Sequence, residues 1–204
     1  MIDLSDVDVL LFDLGGVIIN IDFDRAVHYW ATGSEEPFEK IKAKFTVDEN
    51  YRRHERGEIS SEAFFRRLRQ TLGIDLSLDE MAAGWNALII DEVQGIAQLL
   101  DAIPCDKSLY AFSNINPAHL DSCWSLCADV LTRFEKIFAS SEIGRRKPEP
   151  DAYQRVISAL GVPAQKILFF DDLIENVEAA RRSGMQSVHV RSTSDIETAL
   201  KTIV

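Results

Sequence analysis

Residues 10–17 read LLFDLGGV, and this stretch decides the fold. It ends an apolar run that begins at residue 7, and Asp13 and the pair Gly15-Gly16 close it. A short apolar run with β-branched residues, followed directly by glycines, predicts a buried strand that leads into a flexible turn. Similar runs recur at residues 108–112, 136–139, 166–170 and 187–190. We therefore expect five strands of this kind.

Segments with helical spacing lie between the later runs, at residues 117–130, 150–160 and 174–183. Strands that alternate with helices predict a mostly parallel sheet covered by helices on both faces. The fold class predicted from the sequence is therefore α/β, with a Rossmann-like parallel sheet as its core.

The pattern changes between the first and second predicted strands. This region contains no convincing strand but five amphipathic segments, at residues 24–30, 38–45, 61–72, 78–88 and 92–102. Gly57, Gly73 and Gly84 indicate turns or helix ends, and Ser60 or Ser61 can cap the third segment. We therefore predict an inserted α-helical cap domain at residues 17–103, and a catalytic core formed by residues 1–16 and 104–204.

The composition excludes some functions. The net charge of −11 argues against a nucleic-acid partner, which needs a basic surface. The N-terminal run is interrupted by acidic residues and lacks a basic leader, so neither a signal peptide nor a membrane span fits. The three cysteines have no zinc-like spacing, which favours free thiols in a reducing compartment. We expect a cytoplasmic monomer or homodimer that does not contact membranes.

Polar residues follow four of the predicted strands. Asp13 follows the first, Ser113-Asn114 the second, Lys147 the third after a loop, and Asp171-Asp172 the fourth. Ligands of parallel α/β sheets bind beyond the carboxyl ends of the strands, so we expect these side chains to converge. A carboxylate nucleophile, hydroxyl and amide donors, a cation and an acidic pair form the set that phosphoryl transfer needs.

Each residue has a chemical role in this interpretation. Asp13 would be the nucleophile, while Asp13, Asp172 and the main-chain carbonyl of Gly15 would bind Mg²⁺ through oxygen. Ser113 and Lys147 would hold the phosphoryl oxygens. Taken singly, Asp13 also fits a turn residue and Lys147 a solvated basic loop. The adjacent acids after ILFF are the strongest signal, since placing them near a core is costly without a compensating partner.

The four motifs together resemble those of the haloacid dehalogenase superfamily. They are LLFDLGGV around Asp13, AFSN around Ser113, GRRKPEP around Lys147 and FFDDLIEN around the acidic pair. The helical insert resembles the C1-type cap of that superfamily. The resemblance implies that Asp13 is nucleophile and metal ligand, that Asp172 binds the metal directly, and that Asp171 has a secondary contact. Asn176 would support the site from the following helix.

One position departs from the family pattern. Phosphatases of the superfamily usually carry a general acid two residues after the nucleophile, and here that residue is Gly15. Replacements considered are Asp22, His28, His54 and Glu55. The subgroup of α-D-glucose-1-phosphate phosphatases shares this glycine, and HERGEISSEAF at residues 54–64 and IDFDR at residues 21–25 are similar to its sequences. That resemblance implies a sugar phosphate as substrate.

Other functions stay open at this point. A dehalogenase also lacks the second acid, but it needs no magnesium and leaves the acidic pair unexplained. A metabolite-binding module without efficient chemistry, or phosphoryl transfer to an acceptor other than water, is also compatible with the motifs. Cap residues that contribute to specificity are expected among Phe23, His28, Trp30, His54, Glu55, Trp85 and Asn86. Phe23 and Trp85 fit the interior of the cap better than a substrate contact, because aromatic burial dominates such interiors.

Overall fold

The structure is a computed structural model and describes residues 6–201. Its strands are β1 (Val9–Phe12), β2 (Ile19–Ile21), β3 (Ile89–Glu92), β4 (Ser108–Ser113), β5 (Lys136–Ala139), β6 (Ile167–Asp171) and β7 (Gln186–His189). Its helices are α1 (Phe23–Ser34), α2 (Phe38–Lys44), α3 (Glu49–Glu55), α4 (Ser61–Leu72), α5 (Leu78–Asn86), α6 (Ile96–Asp101), α7 (Pro117–Leu131), α8 (Ser140–Ile143), α9 (Pro150–Leu160), α10 (Ile174–Arg182) and α11 (Thr193–Leu200).

The main sheet has five parallel strands in the order β5-β4-β1-β6-β7. Strand β1 lies at its centre, where Phe12 is level with Ala111 of β4 and with Phe170 of β6. Every residue of β1 and β6 is buried, as expected for strands that helices cover on both faces. The predicted Rossmann-like α/β core is confirmed, and each of its five strands lies within one residue or two of its predicted position.

Successive side chains of the central strands enter two apolar layers, because residues of a strand point alternately to opposite faces. On one face Phe12 stacks on Phe170, with ring centroids 4.5 Å apart. On the other face the ring of Phe112 meets Tyr153 of α9 edge-on at 5.5 Å. The packing fixes the strands in register, so their carboxyl ends form one level edge.

Helices α1–α5 lie between β1 and β4 and pack around aromatic rings. The indole of Trp85 is buried and contacts Trp30 at 6.1 Å, Phe64 at 5.1 Å and Tyr51 at 5.7 Å between ring centroids. Trp85 is thus an interior residue of the insert, in agreement with the prediction that it belongs to the interior of the cap. The hydroxyl of Ser60 accepts a hydrogen bond from the amide of Ala63 and caps α4.

Two parts of the insert differ from the prediction. Strands β2 and β3 form a two-stranded antiparallel sheet where no strand was expected, and β3 replaces the start of the helix predicted at residues 92–102. Gly84 does not end a helix but lies inside α5. A glycine is needed there because an added Cβ would collide with the indole of Trp30. Helix α3 was not predicted at all.

Two sequence-based expectations about the chain as a whole can be compared with the structure. The sulfur atoms of all three cysteines are unpaired in the part of the chain that the structure describes. Within residues 6–201, no helix is both long enough and apolar enough to cross a lipid bilayer.

Candidate active site

The polar residues that follow the strands meet at the carboxyl edge of the sheet. Asp13 follows β1, Ser113 ends β4, and Asp171 ends β6. The side chains of all three are buried. The parallel register brings these strand ends level, which places the two acids on neighbouring strands within reach of one cation.

Asp13 is 8% exposed and is held in a fixed orientation. Its Oδ1 atom accepts a hydrogen bond from the amide of Leu14 at 2.7 Å and an ion pair from Lys147 Nζ at 2.9 Å. Burial raises the pKa of the Asp13 carboxyl to about 7; Lys147 opposes the increase, and Asp171 adds to it. Both contacts fall on Oδ1, which leaves Oδ2 as the oxygen available for attack on a substrate.

Lys147 is a buried cation and not part of a solvated loop. It is 1% exposed, and Nζ lies 2.9 Å from Asp13 and 2.6 Å from Asp171. Burial alone would lower the pKa of Lys147, but the two carboxylates outweigh burial and raise it. The lysine therefore stays positive between two acids, which rules out the alternative of a basic surface loop.

Hydrogen bonds from both the core and the insert hold the loop that carries Lys147. Asn114 accepts a hydrogen bond from the amide of Lys147 at 2.7 Å and donates one to its carbonyl at 2.9 Å. From the insert, Glu55 accepts a bond from Arg146 Nε at 2.7 Å, and the Glu55 carbonyl accepts one from Ser140 Oγ at 2.6 Å. The sequence placed Asn114 at the site but gave no signal for the contacts of Glu55.

The two adjacent acids have different surroundings. Asp171 is fully buried, and its carboxylate accepts bonds from Lys147, from the amide of Leu173 at 2.8 Å and from Asn176 Nδ2 at 3.0 and 3.1 Å. Asp172 is only half-buried and faces Gly16. Asp171 is thus occupied by protein donors, whereas Asp172 has an oxygen that can bind an ion.

The carboxylates fit a divalent cation. One oxygen each of Asp13, Asp171 and Asp172 lies within 4.8 Å of the others. A Cβ on Gly16 would lie 2.5 Å from Asp172 Oδ2, so the glycine leaves room for this carboxylate beside the nucleophile loop. Lys147 pairs with only two of these three carboxylates, and such an oxygen donor set suits Mg²⁺, which needs few protein ligands.

Gly15 has no side-chain proton to donate, and Ile21 fills the space that a side chain at this position would take. A Cβ at Gly15 would lie 2.9 Å from Cδ1 of Ile21. Among the suggested replacements, Asp22 caps α1, His28 stacks on Phe38, and His54 is buried against Ser61 at 3.1 Å. Glu55 does line a cavity with Gly15, but it is already paired with Arg146.

That cavity has a volume of about 70 Å³ and opens beside the strand ends. Its lining comes from both the core and the insert: Leu14, Gly15, Ile19, Ile21, Phe23, Tyr51, Glu55, Leu88, Ile89, Ser113, Asn114, Ile115, His119 and Cys123. Of the predicted cap residues only Phe23 and Glu55 belong to it. A groove of about 510 Å³ on the outer side of α1 shares none of these residues and lies apart from the carboxylates.

His119, which lines this cavity, makes the stability of the fold depend on pH. Its Nε2 lies 3.1 Å from the carbonyl of Trp85, and its ring stacks on that indole at 4.8 Å. Burial lowers the pKa of His119 to about 3; the Trp85 carbonyl opposes the decrease and His54 adds to it. The ordinary pKa of histidine is about 6.5. Below that pH, His119 therefore binds a proton in the unfolded chain but stays neutral in the folded chain.

We therefore expect acid to destabilise the fold through His119. The free energy of unfolding should fall as pH drops below about 6.5, by roughly 2 kcal/mol at pH 5 from this residue alone. Urea unfolding of wild type and His119→Gln at pH 7 and pH 5 measures it, because glutamine can keep the bond to Trp85 but does not titrate. Equal losses in the two proteins would contradict the prediction.

Comparisons with known proteins agree with this geometry. Residues 7–184 match the family described as haloacid dehalogenase-like hydrolase. A D-ribitol-5-phosphate phosphatase of Bacteroides thetaiotaomicron is 24% identical over 96% of this chain and 97% of its own. A sesquiterpene phosphatase of Aspergillus oryzae is 27% identical over 88% of each chain.

A solved structure shares the fold. It is a HAD family enzyme of Bacteroides thetaiotaomicron in complex with magnesium and inorganic phosphate. It superposes with a TM-score of 0.78 and 27% identity, over 89% of this chain and 92% of that chain. The family match spans most of the sequence, including Asp13, Lys147 and the acidic pair. The chain therefore belongs to the haloacid dehalogenase-like hydrolases.

Proposed function

We propose that the chain is a magnesium-dependent phosphatase that hydrolyses a small phosphorylated metabolite through an aspartyl-phosphate on Asp13. The observation that carries the proposal is the buried group in which Lys147 Nζ bridges Asp13 and Asp171 at the carboxyl edge of the sheet. The phosphatases among its relatives support the reaction type.

The reaction has two steps. Oδ2 of Asp13 attacks phosphorus, a bond forms between them, and the bond from phosphorus to the leaving oxygen breaks. The leaving oxygen takes a proton from solvent, because Gly15 has none. Water then attacks phosphorus and gives up a proton to solvent, the bond between phosphorus and Oδ2 breaks, and phosphate and the free carboxylate are released. Lys147 and the hydroxyl of Ser113 hold the phosphoryl oxygens, and Asn114 fixes the backbone of the lysine.

Magnesium would be held by Asp13, Asp172 and the carbonyl of Gly15, with Asp171 and Asn176 in supporting positions. The bound ion would neutralise charge on the phosphoryl oxygens. Asp171 is better suited to orienting Lys147, since its carboxylate already accepts four contacts. The acidic cluster also favours phosphate over halide chemistry, because a dehalogenase has no use for a cation site.

The insert is proposed to act as the cap of this site. Residues 17–103 would form the cap domain and residues 1–16 and 104–204 the catalytic core, because the cavity beside Gly15 is lined from both. A cap closes over the leaving group and excludes water. The cytoplasmic location stays a prediction from the sequence.

Two classes of leaving group are candidates. The sequence resemblance implies a sugar phosphate, and the D-ribitol-5-phosphate phosphatase among the relatives supports a polyol of that kind. The sesquiterpene phosphatase supports an apolar leaving group instead. The lining of the cavity favours the second class, because most of its side chains are apolar.

The reaction type is tested by metal dependence. We expect phosphate release from p-nitrophenyl phosphate with Mg²⁺, and loss of at least about a hundredfold in EDTA that added Mg²⁺ restores, because the carboxylates then lack their cation. A panel of sugar phosphates, nucleotides and alkyl phosphates identifies the best leaving group. Activity that EDTA leaves unchanged would contradict the metal site, and a lack of activity on every substrate would favour a binding module.

A further inference from the structure

The cavity beside Gly15 has mainly apolar walls. Five of its residues are hydrocarbon side chains from the insert and its small sheet, namely Ile19, Ile21, Phe23, Leu88 and Ile89. The core adds Leu14, Ile115 and the buried thiol of Cys123. Ser113 lies at the same cavity, so the leaving group of a phosphate held by Ser113 and Asp13 would extend among these walls.

Apart from Ser113, which is assigned to the phosphoryl group, the polar side chains of the lining are engaged with protein partners. Glu55 is paired with Arg146 and hydrogen-bonded to Tyr51. His119 Nε2 contacts the carbonyl of Trp85, and the side-chain amide of Asn114 holds the backbone of the Lys147 loop. A sugar hydroxyl buried here would have to break one of these contacts or go without a partner, which disfavours binding.

Ile21 fills the space beside Gly15, the position at which phosphatases of the superfamily usually carry the general acid. Its Cδ1 atom fills the space that a side chain at position 15 would take, at 2.9 Å from an added Cβ. The group that approaches the leaving oxygen from the insert is therefore a hydrocarbon chain. A polar hydroxyl on the neighbouring carbon of the substrate would face this chain and not a donor or acceptor.

The rim of the site is apolar as well. Ile21 and Phe23 are 39% and 36% exposed on the side of the insert. On the side of the core, Leu173 and Ile174 follow Asp172 directly and are 48% and 50% exposed. Exposed apolar residues that flank a polar site on two sides indicate contact with an apolar ligand.

We infer that the leaving group is apolar, so that the physiological substrate is an alkyl or aryl phosphate in preference to a sugar or polyol phosphate. The inference rests on the proposed phosphatase function and adds the class of substrate. The cavity of about 70 Å³ has room for several water-sized groups, which fits the first few carbons of a chain. Ile21 and Phe23 would contact the carbons beyond them.

A matched pair of substrates tests the inference. n-Pentyl phosphate and D-ribitol 5-phosphate have five carbons each and the same primary ester, so they differ chiefly in hydroxyl groups. We expect kcat/KM to be about 100-fold higher for the pentyl ester, the order of discrimination at apolar pockets. Equal rates, or faster turnover of the ribitol ester, would overturn the inference and favour the sugar class.

A pair of isosteric variants locates the preference in this cavity. Cys123 and Cys127 are both buried thiols on α7, but only Cys123 lines the cavity. Cys123→Ser adds a hydroxyl to the wall, and we expect it to lower the pentyl-to-ribitol ratio by about three- to tenfold. Cys127→Ser should leave the ratio unchanged. A ratio that Cys123→Ser does not alter would overturn the assignment to this cavity.

Failure of the inference is distinguishable from failure of the proposed function. Hydrolysis of p-nitrophenyl phosphate by wild type, lost in EDTA, reports the phosphatase chemistry alone. If that activity is present and the ribitol ester is preferred, only the class of leaving group is wrong. If that activity is absent, the proposed function itself fails, and the inference fails with it.

Discussion

Replacing Asp13 with asparagine should abolish phosphate release and leave the protein folded. We expect a loss of more than about four orders of magnitude, the scale seen when a covalent nucleophile is removed. An amide oxygen cannot form the acyl phosphate, although it can still accept the hydrogen bond that the Leu14 amide donates at 2.7 Å. Lys147 keeps its contact with Asp171 at 2.6 Å, so the variant should unfold cooperatively near the wild-type temperature.

Asp8 provides a matched control for this variant. It precedes β1 at the opposite end of the strand and pairs with Lys166 at 2.9 Å on the surface. Asp8→Asn should retain full activity, because the pair is far along the strand from the nucleophile. Phosphate release that survives in Asp13→Asn would mean a contaminant or a different site, and would return weight to the non-catalytic alternative.

The core of the fold could be predicted because its signals are local. The apolar runs that form β1 and β6 are buried along their whole length, and a polar residue ends each run where the strand reaches the functional edge. Asp13 and Asp171 therefore mark both the end of a strand and a position at the site. A single short stretch of sequence fixes both properties.

The small sheet of the insert could not be predicted in this way. Strand β2 is three residues long, and its partner β3 is about seventy positions later. Such short segments are stabilised by each other and not by their own propensity. Gly84 misled the prediction for a similar reason: the Trp30 indole that excludes a Cβ there comes from another helix.

The charged part of the site was visible in the sequence, whereas its surroundings were not. Acids after strands stand out, but Ile115 and Cys123 look like ordinary core residues until the structure places them at the cavity. The ion pair between Glu55 and Arg146 joins residues about ninety positions apart. Sequence motifs therefore predicted which charged residues meet at the edge of the sheet, whereas the apolar walls of the cavity become visible only in the structure.

Replacing Lys147 with methionine should cost both stability and activity. Methionine has a similar length but no charge, so Asp13 and Asp171 would lose the cation that lies 2.9 and 2.6 Å away. Removing one partner of a buried ion pair typically costs about 3–5 kcal/mol. Urea unfolding in EDTA should show a loss of that order, and phosphate release should fall below detection.

Lys166→Met serves as the surface control. Lys166 also pairs with a carboxylate at 2.9 Å, but its side chain is 35% exposed and that of its partner Asp8 is 48% exposed. Surface pairs contribute less than about 1 kcal/mol, so this variant should be nearly as stable as wild type and fully active. A similar loss in the free energy of unfolding for both lysine variants would contradict the claim that Lys147 stabilises the buried carboxylates.

A double variant separates the structural from the chemical role of the lysine. In Lys147→Met with Asp171→Asn, one uncompensated buried carboxylate is gone, and the new amide oxygen can still accept from Asn176. We expect the double variant to recover at least half of the lost stability, because two neighbours in one network are not additive. Activity should stay absent, since no lysine then holds the phosphoryl oxygens beside Asp13. Recovery of both properties would mean that Lys147 serves only to neutralise Asp171, and that the phosphoryl group is held by the metal and by Ser113.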